Sequence, residues 1–140
     1  MQTADVLDTI GGLAAQLKAY AAKLPAVVHL TAVPSGVKPK LEAIEDYEDI
    51  VSRFRNQSAG TLYKRLNESL LESLEAFEAG KLLGSVQPLL AALDHLERIQ
   101  LDHEIEVGRI DEKRMSEYRV VLNRILPGNK PELDGAGRGL

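Results

Sequence analysis

With 140 residues, a formal net charge of −4, 44% hydrophobic and 27% charged residues, the chain has the size and composition of one globular domain, able to bury a core without disulfides or metals. The negative balance argues against a generalised grip on nucleic acid, and the lack of cysteine removes disulfides, thiolate metal sites and Cys nucleophiles, which suits a cytoplasmic protein. The opening MQTADVLDTI has no basic n-region or unbroken apolar core, and no apolar run reaches the roughly 18 residues of a span, so neither export nor membrane insertion is expected.

In chain order, Val6, Ile10, Leu13, Leu17, Tyr20 and Leu24 recur every three or four residues and predict a first helix from Thr3 to Leu24. Gly11 and Gly12 interrupt its seam, so either a neighbouring backbone approaches there or the helix bends. Pro25 stops it. The next run, PAVVHLTAVP, fits no amphipathic helix. Read as an extended crossover, it places Ala26, Val28, Leu30 and Ala32 on one side and Val27, His29, Thr31 and Val33 on the other, both largely apolar. A second helix is expected from Val37 to Asn56 on Leu41, Ile44, Tyr47, Val51 and Phe54, with acids crowding its first half and Arg53 and Arg55 its last turn, as the helix dipole favours. A third follows from Thr61 to Ala79 on Leu62, Tyr63, Leu66, Leu70, Leu74 and Phe77.

The stretch AGKLLGS reads as a connection in which Gly80 ends the third helix, Ser85 caps the fourth and Pro88 occupies its first turn. The fourth helix is expected from Val86 to Val107 on Leu89, Leu90, Leu93, Leu96, Ile99 and Val107, with Gly108 as its stop. Asp111 then caps a fifth, from Glu112 to Leu126, on Met115, Tyr118, Leu122 and Ile125. The expected fold class is therefore all-α: an antiparallel four-helix bundle core with an appended fifth helix and one extended crossover segment. Residues 1–126 form the helical domain, and the glycine-rich, apolar-poor residues 127–140 read as a flexible tail.

Tests for chemistry are mostly negative. His95 and His103 sit among acids on the fourth helix, but eight residues apart they fall on different faces and no Glu-x-x-His motif accompanies them, so neither a metal nor another cofactor is expected. Ser35-Gly36-Val37-Lys38 matches S-x-x-K in form, yet its companion motifs are missing, and it reads as a turn entering a helix. Arg109, Lys113, Arg114, Arg119, Arg124 and Lys130 give the fifth helix a basic component, but three acids are interleaved and the pattern reads as a solvated mixed face. The run Arg55-Asn56-Gln57-Ser58-Ala59-Gly60 resembles, over six residues, the Arg-polar-x-x-x-His signature of the small helical ribonucleases called HEPN domains. Gly60 stands where the histidine belongs, so the resemblance implies a copy without catalysis.

Two features point to a partner. The apolar run reads either as a connector packed across the end of the bundle or as a lone strand without an internal mate for its backbone groups, and on the second reading Val27, Val28, Leu30 and Val33 are candidate contacts with another chain through edge pairing or an apolar patch. Gln100 and His103 are polar positions on the broad apolar face of the fourth helix, placed either in a satisfied core or where that face meets a partner. The function expected is a non-enzymatic protein–protein interaction subunit: a small adaptor, chaperone-like or structural component of a larger bacterial or phage assembly, contacting a protein partner or a further copy. The alternative is a helical nucleic-acid-associated regulator or a degenerate HEPN-like domain.

Overall fold

The computed structural model describes residues 1–23 and 38–125. The protein is all-α: α1 (Thr3–Ala21), α2 (Leu41–Ser58), a short 3-10 helix (Leu62–Leu66), α3 (Asn67–Glu78), α4 (Leu82–Leu101) and α5 (Arg109–Ile125), with no strand among the described residues. The expected crossover with Val27, Val28, Leu30 and Val33, and the tail at 127–140, lie outside the described residues.

The helices close a ring of contacts in which α1 meets α2, α2 meets α3, α3 meets α4 most extensively, and α4 returns to α1. Against that four-helix core α5 packs on α1 and α4, as an appended helix. The seams read from the sequence, together with Leu7, which lies outside them, supply the interior. Leu7, Leu13, Leu17, Leu89, Leu93, Leu96 and Leu122 are fully buried. Three rings occupy the centre. Phe77 stacks on Tyr47 with centroids 4.5 Å apart and meets Tyr20 edge-on at 5.5 Å, both favoured aromatic geometries.

One polar chain runs through this apolar interior. The Tyr47 hydroxyl donates to Ser73 Oγ at 2.5 Å, because Ser73 itself donates to the carbonyl of Ser85 at 2.6 Å. Every hydroxyl in the relay is thereby satisfied, and α2, α3 and α4 are tied together. Burial raises the Tyr47 pKa, since a phenolate there would lose its hydration.

Helix boundaries depart from the sequence reading for local reasons. The chain at 38–40 is not helical, because Pro39 disfavours helical backbone in the residue before it, and extended Lys40 immediately precedes Leu41. The third predicted helix is split. Thr61 Oγ1 accepts from the Tyr63 N–H at 3.2 Å and starts a tight 3-10 turn that passes into α3 without a gap.

The largest correction is in α4, which begins at Leu82 and ends at Leu101 rather than spanning Val86 to Val107. Ser85 is not a cap: its hydroxyl turns back to the Lys81 carbonyl one turn earlier, at 2.8 Å, so the helix runs through it and Pro88 sits inside. At the other end the His103 N–H bonds the Gln100 carbonyl at 3.0 Å, and the Glu104 N–H bonds that of Ile99 at 2.9 Å. This is a Schellman closure with His103 left-handed at φ 61°. Gly80 closes α3 by the same device, at φ 74°, where glycine was expected. The fifth helix starts at Arg109, so Asp111 lies in its first turn and favours the positive end of the dipole without being the cap.

Gly11 receives a side chain rather than a backbone. A Cβ there would lie 2.6 Å from Tyr118 Oη, so the missing methyl lets the Tyr118 ring of α5 lie on α1. Arg114 holds that ring in place, donating to Tyr118 Oη from Nε at 3.3 Å and from Nη2 at 3.0 Å and pairing with Asp8 of α1 at 2.6 Å.

Candidate functional site

The four residues from the apolar run are outside the described residues; of the other two, Gln100 follows Leu93 and Leu96 on the buried face of α4, whereas His103 lies beyond the end of that helix. Because α4 ends at Leu101, His103 is exposed in the closing turn. Gln100 is half-buried beside a shallow depression between α4 and α5, with Met115, Glu112 and Arg119 among its neighbours. His103 and Gln100 meet only through the backbone bond of that turn.

A different place gathers chemistry. Where α2 ends and α3 begins, the corner at 58–67 is fixed by a web of short-range hydrogen bonds. Thr61 Oγ1 donates to the Ser58 carbonyl at 2.8 Å, and Asn67 Nδ2 donates to Ser58 Oγ at 3.0 Å. Gly60 makes the reversal at φ 77°, a left-handed conformation that a side chain adopts only with strain. Glycine meets this backbone requirement without strain, although His103 shows that a histidine can also adopt the left-handed region.

Against this corner lies a cleft of about 620 Å³, shared by α2, the 3-10 helix, α3, α4 and the turn after α4. Val51 and Ile99 form buried parts of its wall, while Leu62 and Leu71, 43% and 45% exposed, present apolar surface to solvent. Arg55, Lys64 and Arg65 rim it, with Glu68 and Glu104 as the opposing carboxylates. None of the three cations lies within ion-pair distance of a carboxylate among the described residues, where the salt bridges belong to Arg114 and Arg119 alone.

The cations have different local explanations. Arg55 occupies the last turn of α2, the negative end of that dipole, where a cation is stabilised. Lys64 and Arg65 stand at the N-terminal end of the continuous helical stretch 62–78, where the dipole opposes positive charge. Local electrostatics therefore favours one cation and gives no support to the other two, which are exposed. All three, with the positive end of α3, favour an anion in the cleft.

Two polar atoms in the lining residues are shielded from solvent with no partner among the described residues: His95 Nε2 and Asn67 Oδ1. A buried group in that state costs about 1–3 kcal/mol until something pairs with it. His95, read from the sequence as standing away from the apolar face, is half-buried in the cleft wall, so it and Arg55 line one cleft although forty residues separate them. Sequence reasoning missed Leu62 and Leu71 as surface residues, and Lys64 and Arg65 altogether. The signal for the last two was present: adjacent cations entering a helix from its positive end.

A second depression of about 520 Å³ lies between α1 and the start of α2. There Lys23, Lys38 and Lys40 stand with Glu42 and Asp46, the same balance of charge as in the cleft, but the large apolar side chains of its lining, Tyr20 and Phe77, are buried rather than presented to solvent. Among the described residues, no group of three or more His, Asp or Glu is placed to share a metal ion, and no helix is long and apolar enough to cross a membrane.

A scan against protein-family models, a search of curated proteins and a search of solved structures return no match.

Proposed function

We propose that the protein is a non-catalytic interaction subunit that holds an acidic, apolar segment of a partner protein in the cleft between α2, α3 and α4. The observation that supports this reading is an apolar floor with exposed Leu62 and Leu71, rimmed by three cations without carboxylate partners among the described residues. Apolar area supplies affinity in such a contact, and the rim selects sign and orientation. Val27, Val28, Leu30 and Val33 enter as a second contact element on their composition alone.

The test is fluorescence anisotropy with a labelled helical peptide carrying leucines on one face and glutamates beside them. Saturable binding is expected, weakened roughly tenfold or more by Arg65→Glu, which removes one charge and inverts it, about 1.4 kcal/mol. No saturation up to about 1 mM, the range of a contact worth only about 4 kcal/mol, sinks the reading. A second reading, a nucleic-acid-associated helical protein, is favoured by Arg55, Lys64, Arg65 and His95 sharing one cleft. It predicts tighter binding of a single-stranded RNA oligomer than of the peptide, with affinity falling steeply as salt rises.

A further inference from the structure

The acidic, apolar segment that the cleft requires has a counterpart on the chain itself. In the first half of α2, Leu41, Glu45 and Glu48 follow at spacings of four and three, so they share one stripe of the helix. All three are exposed, Leu41 by 73%, which among the large hydrophobics at described positions only Ile110 and Leu101 exceed. Glu42 and Asp49 flank the stripe, making this half of the helix strongly acidic. Glu42 and Asp46 face the lysines of the depression beside α1, whereas Leu41, Glu45 and Glu48 line neither that depression nor the cleft.

The same helix ends in the cleft. Leu41 and Arg55 are fourteen residues apart on α2, which at 1.5 Å per residue is about 21 Å along a rigid axis. The acidic knob therefore cannot enter the basic cleft of its own chain, and any contact between them joins two molecules. Opposite charge and exposed leucine occur on both sides: Glu45 and Glu48 beside Leu41, and Arg55, Lys64 and Arg65 around Leu62 and Leu71.

We propose that the segment occupying the cleft is the N-terminal half of α2 from a second copy, so that the chain associates head to tail. This rests on the reading of the cleft as a docking site for an acidic, apolar segment. The two surfaces are different patches, so the contact is heterologous and each added copy presents a fresh cleft. Such an arrangement closes into a ring or continues as a filament, according to the rotation between neighbours.

The experiment is sedimentation velocity of the full chain with two charge reversals, Glu45→Lys/Glu48→Lys on the knob and Arg55→Glu/Arg65→Glu on the rim. Wild type is expected to exceed the monomer mass of 15.3 kDa as concentration rises, and to return to it in about 1 M salt, where screening acts within about 3 Å. Each variant alone should remain monomeric, since like charges then meet. An equimolar mixture of the two should associate again, because the reversed knob matches the reversed rim and the two native surfaces match each other.

All four positions are exposed, and circular dichroism confirms that each variant is folded. If one double variant fails to fold, the single reversals Glu48→Lys and Arg65→Glu give the same comparison. A wild-type chain that stays monomeric throughout overturns the proposal. If the labelled peptide still binds in an Arg65-dependent way, the docking reading survives while self-association falls. Assembly indifferent to both reversals also overturns it, as does a mixture that does not associate.

Discussion

Arg114 and Arg119 on α5, and Arg55, Lys64 and Arg65 around the cleft, are surface cations of one small bundle in opposite circumstances. Arg119 reaches Asp94 at 2.6 Å and also bonds Glu97, both on α4, while Arg114 reaches Asp8 on α1 at 2.6 Å. These pairs orient the appended helix on the two helices that carry it. At the cleft, helix ends concentrate positive charge and no carboxylate among the described residues closes on it. Charge serves the fold in the first region. In the second it is spare, and it surrounds the exposed leucines that a stable monomer does not require. The same residue types therefore carry opposite meanings, and the distinction is made by whether their partners lie on neighbouring helices.

That contrast can be broken first on the α5 side. Gly11→Val places a branched side chain where even a Cβ lies 2.6 Å from Tyr118 Oη, and overpacking of this kind should cost about 3 kcal/mol in urea unfolding. A midpoint equal to wild type would show that α5 does not depend on that close approach.

Next comes the polar relay in the interior. Ser73→Ala strands the Tyr47 hydroxyl and one bond to the Ser85 carbonyl, a loss of about 2 kcal/mol by the cost of buried unpaired groups. The same site has a pH signature. The Tyr47 pKa is raised above its ordinary 10.0 by burial, so the unfolded chain releases its proton first as pH climbs. The stabilisation is complete below pH about 10 and declines above it. Thermal melts of Tyr47→Phe against wild type should show a shallower alkaline loss in the variant, and parallel curves would contradict the assignment.

Smaller effects separate the two sets of cations directly. Arg119→Gln removes two ion pairs that remain partly solvated, with carboxylates 60% and 51% exposed, and should cost about 1 kcal/mol or less. Smallest is Arg65→Ala, which breaks no ion pair among the described residues and should leave the unfolding midpoint unchanged while weakening the labelled peptide. A fall in stability with peptide binding intact would place Arg65 with the structural set.

The fold was largely legible because its information is local and periodic. Leu89, Leu93 and Leu96 announced the face of α4, and Gly80 announced a left-handed stop. The end of α4 was hidden because His103 performs glycine's role with a side chain attached, and nothing in QLDHEIE marks a break in helical spacing. Its start was hidden because a serine followed by a proline resembles an N-terminus, whereas Ser85 turns back into the preceding turn. The cleft was less legible still. Its lining is drawn from four helical elements and a turn, and no single periodicity describes a place where several chain segments converge. Arg55 drew attention through its neighbours in sequence. Its relation to Lys64, Arg65 and His95 exists only once the corner at Gly60 has folded.

The hydroxyl relay from Tyr47 through Ser73 to Ser85 has a consequence for motion along the helix axes. Interdigitated apolar side chains already resist sliding, and a displacement of one turn, about 5.4 Å, would in addition pull the phenol out of reach of its acceptor. The relay acts as a dowel, pinning α2 against α3 and α4 lengthwise. A pull on the acidic tip of α2 is consequently taken up at Tyr47 and shared with α3 and α4 before it reaches the corner beside Arg55.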